Sequence, residues 1–202
     1  MRIAVYGATG MIGSQIAAEA VARGHQVTGI TRSGGELPAG ARDVRGDAGD
    51  AGLAKRIASE SDVVVSATGP SRTGGDQREF LAGLRNLTEN LGDARLLVVG
   101  GAGSLLVDGR RLVDDADFPE AYKAEALIGA ESLDYLRGLG DDVDWTYLSP
   151  PPVIQPGERT GGYRVALDSP AGQSISAADY AMAMLDEIDQ PAHRRQRFTV
   201  AS

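Results

Sequence analysis

The chain has 202 residues, a formal net charge of −8 at pH 7 and no cysteine. The length suits one domain with a full core, and the acidic balance excludes the basic surface of a protein that binds nucleic acid or an anionic membrane. Disulfides, thiolate catalysis and cysteine metal sites are excluded as well. The sequence shows no secretory apolar region and no membrane-length apolar run, so we expect a cytoplasmic protein. Lysine occurs only as Lys55 and Lys123 among 20 basic residues, a bias typical of GC-rich bacteria.

Strand-like and helix-like segments alternate along the chain, which predicts an α/β fold with a parallel sheet. We expect a Rossmann-like, doubly wound sheet in three layers, formed as a single domain over residues 1–202. Its last part, residues 153–202, is predicted to form a small cap on the substrate side. Strands are predicted at residues 3–6, 26–31, 42–45, 62–67, 95–99, 144–148, 163–167, 173–176 and 197–201. Helices are predicted at residues 12–24, 53–59, 77–91, 119–139 and 177–188.

The first strand runs directly into a glycine-spaced turn, GATGMIG at residues 7–13. A strand, a glycine turn and a helix form the unit by which Rossmann folds present backbone N–H groups to a pyrophosphate. The first glycine permits the sharp turn, the second removes a Cβ where the pyrophosphate approaches, and the third permits close packing of the helix on the sheet. A plain strand–turn–helix corner is the alternative, because the spacing G-x-x-G-x-x-G is one residue longer than the standard fingerprint. The predicted cofactor contacts here are Gly7, Thr9, Gly10, Met11 and Ile12.

The end of the second strand indicates which dinucleotide is bound. In NAD-binding folds of this kind, an acid about 20 residues after the glycines bonds the ribose 2′-hydroxyl. Here Arg32 and Ser33 occupy that strand end, and no acid does. A guanidinium binds a 2′-phosphate that a carboxylate would repel. We therefore predict NADP (NADPH) with contacts from Arg32 and Ser33, while a solvated loop position is the alternative for Arg32.

Two further strand ends are expected to face the same crevice. Asp47 and Ala48 follow the third strand, where Asp47 either accepts from the adenine amino group or serves as a turn residue. Ala67, Thr68 and Gly69 follow the fourth strand. Small residues there leave room for ribose and nicotinamide, and a simple strand exit is the alternative.

At these positions the chain resembles the atypical short-chain dehydrogenase/reductase superfamily. Within it, the chain is similar to the NAD(P)H-binding group that includes NADH–flavin reductases, biliverdin reductase B and NmrA-like proteins. The resemblance covers essentially the whole chain and implies a Rossmann fold, a nicotinamide cofactor and flavin-reductase-like chemistry. It rests on GATGMIG at 7–13, the strand ends at 31–33 and 67–69, RLLVVGGAGS at 95–104, FPEAYKAEA at 118–126 and DWTYLSP at 144–150.

Classical members of that superfamily use a Tyr-x-x-x-Lys pair, in which the lysine lowers the pKa of the tyrosine that donates a proton to a carbonyl. None of the six tyrosines of this chain has lysine four residues later. Tyr122 is followed directly by Lys123, and adjacent helical residues point about 100° apart. This departure favours an acceptor that needs no positioned acid, such as FMN, FAD or a quinone, which takes hydride onto a delocalised ring.

Ligands of open α/β sheets bind beyond the carboxyl ends of the strands, which selects the remaining candidates. Ser104 follows the fifth strand and either bonds a substrate carbonyl or ring nitrogen or caps nearby backbone. Pro150 follows the sixth strand and is predicted to form one wall of the nicotinamide site. The loop at residues 69–75 is predicted to be a lid or phosphate-side loop, or else a flexible connector.

Tyr122 and Lys123, at the start of the long fourth helix, are the other catalytic candidates. Tyr122 shares a helical face with apolar residues, so core packing is the alternative role. For Lys123 the alternative is a surface pair with Glu120 or Glu125.

The sequence thus predicts an NADPH-dependent oxidoreductase that transfers hydride to a flavin, a quinone or a similar conjugated acceptor. A non-catalytic NADP-binding redox sensor of the NmrA-like kind and a sugar-nucleotide-type epimerase or dehydratase are the alternatives. The two histidines, His25 and His193, and the scattered acids lack ligand spacing, so we predict no metal. The expected partner is a small-molecule substrate, and the expected state is a monomer or small homo-oligomer.

Overall fold

The computed structural model describes residues 1–71 and 75–202, so the middle of the predicted lid loop lies outside the described residues. All predicted helices and strands are present to within a few residues, and three short unpredicted strands (β6, β7 and β9) accompany them. The strands are β1 (Arg2–Tyr6), β2 (Gln26–Thr31), β3 (Arg42–Arg45), β4 (Val63–Ser66), β5 (Arg95–Val99), β6 (Leu106–Val107), β7 (Arg110–Arg111), β8 (Trp145–Ser149), β9 (Val153–Gln155), β10 (Arg164–Ala166), β11 (Ser174–Ser176) and β12 (Gln196–Ala201). The α-helices are α1 (Met11–Ala22), α2 (Ala51–Ser59), α3 (Arg78–Glu89), α4 (Glu120–Arg137) and α5 (Ala177–Asp189).

The main sheet has eight strands in the order β3-β2-β1-β4-β5-β8-β12-β10. Seven strands are parallel and β10 pairs antiparallel with β12 at one edge. The chain order reverses at β1, which lies between β2 and β4. The central strands β1, β4 and β5 are apolar and almost fully buried, as a sheet covered on both faces requires.

Helices cover both faces of this sheet and give the predicted three layers. On one face, α1 and α5 pack together through small residues such as Ala17, Ala20 and Ala181, which allow the two helices to approach closely. On the other face, α2, α3 and α4 contribute leucines and isoleucines such as Leu84 and Leu133 to a second core. The structure therefore confirms a Rossmann-like, doubly wound α/β fold.

The cap predicted for residues 153–202 needs correction. The strands β10 and β12 of this segment extend the main sheet, and α5 packs on α1 as part of the helical layer. Outside the main sheet, the segment forms the small parallel pair β9 and β11. The prediction failed because β12 is a sequence-distant strand whose place in the sheet, beside β8, is set by tertiary pairing.

A buried ion pair ties the start of β5 to the end of α5. Arg95 donates to the Glu187 carboxylate and, at 2.9 Å, to the Glu187 carbonyl oxygen. Their side chains are only 7% and 3% exposed. Burial alone would raise the pKa of Glu187, but hydrogen bonds from His193 and Arg95 outweigh it and hold the pKa below its ordinary value. The carboxylate is therefore charged in the folded protein and compensates a guanidinium that is shielded from water.

The pair supplies a stability prediction. We expect Glu187→Ala to lower the free energy of unfolding by about 3–5 kcal/mol, because the buried Arg95 loses its nearest counter-charge and is left with Asp144, whose Oδ1 lies 3.8 Å from Arg95 Nε. Glu60→Ala is the control, since it removes the exposed Arg42–Glu60 pair and costs at most about 1 kcal/mol. Because the folded pKa of Glu187 is depressed, the difference from wild type should shrink as the pH falls below about 4. Urea unfolding at pH 7 and pH 3.5 measures both effects, and equal losses for the two variants at pH 7 would contradict the assignment.

Candidate cofactor-binding and active site

The carboxyl ends of β1, β2 and β4 meet where the strand order reverses. The N–H of Gly7 donates to the Ile30 carbonyl at 3.0 Å, and the N–H of Ala67 donates to the Tyr6 carbonyl at 2.9 Å. Ligands of doubly wound sheets bind in the crevice at such a reversal. The glycine turn at residues 7–13 lies at this crevice.

The three glycines of this turn differ in how closely they are packed. Gly7 has φ +77°, and a Cβ on it would lie 2.6 Å from the Ala67 carbonyl oxygen. A Cβ on Gly13 would lie 2.1 Å from the Gly7 carbonyl oxygen, so both positions exclude a side chain. Gly10 is exposed, and a Cβ there would meet only the Gly7 oxygen, at 3.3 Å. Gly7 and Gly13 thus close the turn on itself, while Gly10 keeps its outer side open to a ligand.

The turn leads into the N-terminus of α1, which is free to bind an anion. Gly10 is the N-cap and provides no side-chain acceptor for the first N–H groups of the helix. No acidic residue lies in the first helical turn, and Thr9, Gly10 and Met11 are exposed. Unpaired N–H groups and the positive end of the helix dipole favour phosphate at such a position. The backbone from Gly7 to Ile12 therefore fits the pyrophosphate of a dinucleotide.

Arg32 and Asp47 lie together at the ends of β2 and β3. The Arg32 Nε and Asp47 Oδ2 atoms are 3.9 Å apart, with side chains 79% and 59% exposed. The other carboxylate oxygen of Asp47 accepts the Gly49 N–H at 2.8 Å, so Asp47 does serve the turn. Ser33 is exposed beside Arg32, and Ala48 is buried with its carbonyl accepting from Asn86 at 2.6 Å. These four predicted residues therefore stand at one edge of the sheet.

The exit of β4 is open, as the small residues there predict. The carbonyl of Ala67 packs against Gly7, and the Cβ of Ala67 packs against Gly13. The hydroxyls of Ser66 and Thr68 lie 3.2 Å apart, and a Cβ on Gly69 would meet no atom of the described residues within 4 Å. This space between the exits of β1 and β4 is where the fold would place the nicotinamide half of a dinucleotide.

The turn after β5 is held by two buried tyrosines. The Tyr147 hydroxyl accepts the Gly101 N–H at 3.1 Å and donates to the Gly129 carbonyl at 2.9 Å, while its ring fills the space where Gly100 would carry a Cβ. From the other face of the sheet, the Tyr180 hydroxyl donates at 2.6 Å to the Leu148 carbonyl of β8, which also accepts the Gly100 N–H of the turn at 2.9 Å. Burial raises the pKa of both tyrosines. They are therefore protonated supports of the turn.

The predicted catalytic residues, Ser104, Tyr122 and Lys123, differ in their exposure and in their partners. Ser104 is 7% exposed, and its hydroxyl accepts from Arg197 Nη1 at 3.4 Å. Tyr122 is 63% exposed, so the alternative of core packing is wrong. Tyr122 lies in the first turn of α4, and the buried part of that helix begins further along the chain. The Lys123 Nζ atom lies 3.7 Å from Glu120 Oε2, which is the surface ion pair expected as the alternative to a catalytic role.

Pro150 is buried directly after β8. The preceding Ser149 hydroxyl accepts from Arg197 Nη1 at 3.5 Å, and Arg197 is also paired with Asp168. This buried guanidinium, from the start of β12, links Ser104 after β5, Ser149 at the end of β8 and Asp168 after β10. No sequence motif points to Arg197, because its partners Asp168 and Ser104 are distant from it in the chain.

A second arginine without a sequence motif is Arg45, at the end of β3. In the parallel register it stands opposite Thr31, the residue directly before Arg32. Its guanidinium Nη2 lies 2.7 Å from the position of a Cβ on Gly34. The sequence does place an arginine at the end of each of two adjacent strands. Their proximity becomes clear only from the register of β2 and β3.

The residues of this crevice fit a nicotinamide dinucleotide, and comparison with known proteins agrees. The NAD(P)H-binding family matches this chain over residues 7–191, and the chain belongs to that family. YwnB of Bacillus subtilis, a protein of uncharacterised function, is 40% identical to this chain. The alignment covers 100% of this chain and 99% of YwnB. The resemblance to the NAD(P)H-binding group of atypical reductases is thus confirmed.

Three solved structures show the same fold, each with a TM-score of 0.88. A Burkholderia pseudomallei protein provisionally described as exported is 41% identical, with both chains covered completely. A provisionally assigned NADH-flavin reductase of Streptococcus pneumoniae is 34% identical over 100% of this chain and 99% of its own. A provisionally assigned epimerase of Bacteroides thetaiotaomicron is 31% identical over 99% of this chain and 96% of its own.

The described residues contain neither a membrane-spanning helix nor a metal-holding cluster. Within residues 1–71 and 75–202, no helix combines the length and the apolar character needed to cross a membrane. The same part of the chain contains no group of three or more histidine and acidic side chains arranged to hold a metal ion.

The packing at Gly13 yields a binding prediction. We expect Gly13→Ala to weaken dinucleotide binding by at least about tenfold, because the new methyl group meets the Gly7 carbonyl and displaces the phosphate-facing backbone. The matched control is Gly129→Ala in α4, where a Cβ meets no atom within 4 Å. Titration of intrinsic fluorescence with NADPH measures the affinity, and an unchanged dissociation constant for Gly13→Ala would contradict the proposed role of the turn.

Proposed function

We propose that this protein is an NADPH-dependent oxidoreductase that transfers hydride to a flavin, a quinone or a similar conjugated acceptor. The observation that carries the proposal is the open glycine turn at residues 7–13, which lies where the strand order reverses and fits a phosphate. The turn after β5, on the proposed substrate side, is held by buried tyrosines that are structural supports. Membership of the NAD(P)H-binding family supports the cofactor class, and the similarity to a provisionally assigned NADH-flavin reductase supports the reaction class.

The residues supply binding and orientation. The N-terminus of α1 holds the pyrophosphate, Arg32 and Ser33 bind the 2′-phosphate, and the exits of β4 and β8 enclose the nicotinamide between Thr68, Gly69 and Pro150. When bound, the reduced nicotinamide supplies a hydride to the acceptor ring, which takes its proton from solvent. The protein's contribution is to hold the two rings in contact and keep the turn after β5 rigid.

Tyr122, Lys123 and Ser104 have different parts in this proposal. The exposed ring of Tyr122 offers a surface for stacking a conjugated acceptor. Lys123 offers a positive charge to the electron-rich ring that hydride transfer produces, and its pair with Glu120 is exposed enough to exchange. Ser104 is best suited to support the turn, because its hydroxyl is buried against Arg197.

A redox sensor remains the second candidate, and one observation favours it. In the described part of the chain, Lys123 is ion-paired with Glu120 and Ser104 is bound by Arg197, so the structure shows no assembled proton donor beside the crevice. The epimerase alternative is supported by the provisionally assigned Bacteroides neighbour. We further propose a cytoplasmic protein with a small-molecule substrate, present as a monomer or small homo-oligomer.

One assay separates these functions. Purified protein is mixed with NADPH and FMN, FAD or a quinone, and oxidation is followed by the loss of nicotinamide absorbance. We expect turnover with at least one acceptor and a preference for NADPH over NADH. Tight NADP binding without turnover on any acceptor would favour the sensor, and a preference for NADH would refute the assignment of NADPH.

The same assay tests Tyr122. We expect Tyr122→Ala to raise the KM for the acceptor by about tenfold, since loss of one stacked ring costs about 1–1.5 kcal/mol, while Tyr122→Phe retains most of the affinity. The dissociation constant for NADPH should be the same in both variants. A normal acceptor KM for Tyr122→Ala would remove this residue from the substrate site.

A further inference from the structure

The loop after β2 is fixed against the rest of the site by three close contacts. A Cβ on Gly35 would lie 2.6 Å from the Thr9 side chain, and one on Gly29 would lie 2.8 Å from Leu37. Gly34, with φ +81°, leaves room for the guanidinium of Arg45. The loop that carries Arg32 is thus held over the glycine turn, with Arg45 packed against its backbone.

Arg45 differs from the other arginine of its strand. At the opposite end of β3, Arg42 is paired with Glu60 at 2.6 Å and also donates to Thr28. Within the described residues, the side chain of Arg45 has neither a hydrogen bond nor an ion pair, whereas its backbone belongs to the β2–β3 pairing. An unpaired guanidinium against a glycine backbone has its donors available for an anion.

The charge around Arg32 explains why a second cation is needed. Asp47 lies 3.9 Å from Arg32 and offsets part of its charge. Asp43, on the same face of β3 as Arg45, lies 3.4 Å from the Thr31 hydroxyl and adds a further negative charge nearby. Arg32 alone would therefore face a 2′-phosphate with little net positive charge around it. Arg45 restores the balance in favour of the phosphate.

We propose that Arg45 is a second ligand of the 2′-phosphate and a determinant of the preference for NADPH over NADH. Arg32 approaches the phosphate from the loop after β2, and Arg45 approaches it from the end of β3. Gly34 is required between them because any side chain there would displace the Arg45 guanidinium. The inference rests on the proposed function for the choice of cofactor, and it assigns the role to a residue outside the glycine turn and the β2 exit.

Binding of two nucleotides that differ only in the 2′-phosphate tests this role without any turnover. Calorimetric titration with adenosine 2′,5′-bisphosphate and with 5′-AMP is carried out on wild type, Arg45→Gln, Arg45→Lys and the control Arg42→Gln. For Arg45→Gln we expect the affinity for the bisphosphate to fall by about tenfold or more and that for 5′-AMP to change by less than about twofold, since one charge-assisted contact is lost. Arg45→Lys should recover part of the loss, and Arg42→Gln should behave as wild type.

Gly34→Ala provides a second variant, because it displaces the guanidinium without removing its charge. Gly34→Ala should lower the affinity for the bisphosphate more than the affinity for 5′-AMP. Thermal unfolding checks that the variant is folded. If Arg45→Gln binds the bisphosphate as wild type does, or if the wild type binds both nucleotides equally, the inference is overturned. Acceptor turnover with NADPH is measured separately, so loss of the proposed function is recognised by absent turnover and loss of this inference by unchanged nucleotide discrimination.

Discussion

Three pieces of backbone meet in van der Waals contact at the start of α1, and the cofactor site depends on that contact. The Gly7 turn rests on the Ala67 carbonyl, and Gly13 rests on the Gly7 carbonyl. Because both approaches leave no room for a Cβ, the helix begins directly at the sheet and its N-terminus points into the crevice. The same contact fixes the distance between the exits of β1 and β4. In the proposed site, one packing constraint would therefore set both phosphate binding and nicotinamide placement.

A different device supports the substrate side. The Tyr147 hydroxyl bonds the turn after β5 directly, and Tyr180, from the other face of the sheet, bonds the Leu148 carbonyl to which Gly100 of that turn also donates. A tyrosine committed to backbone hydrogen bonds, with its pKa raised by burial, does not serve as a mobile proton donor. These two residues thus keep the turn rigid at the expense of acid–base chemistry. That arrangement suits an acceptor whose ring delocalises the incoming charge.

The sequence was sufficient for the features that depend on local patterns. The apolar runs of β1, β4 and β5 and the glycine spacing at 7–13 identify the sheet centre and the dinucleotide turn without tertiary information. Features that depend on pairing between distant segments were wrong or missed. The place of β12 in the sheet, the exposure of Tyr122 and the approach of Arg45 to Gly34 follow from how elements pack, and local periodicity does not encode them. NADPH selection and the substrate residues stay predictions.

The overall charge and the charge of the crevice act on different ligands. A net charge of −8 disfavours extended polyanions, since many phosphates would face an acidic surface. A dinucleotide carries its phosphates within a short span, and exposed charges beyond about 8–10 Å are largely screened at physiological salt. In the proposed site, its binding would therefore be governed by the nearest groups: the N-terminus of α1, Arg32 and Arg45, opposed by Asp47 and Asp43. In this balance the acids near β3 leave the crevice weakly charged, so in the proposed mode of binding a 2′-phosphate would be recognised by directed contacts from both arginines, and non-specific attraction would contribute little.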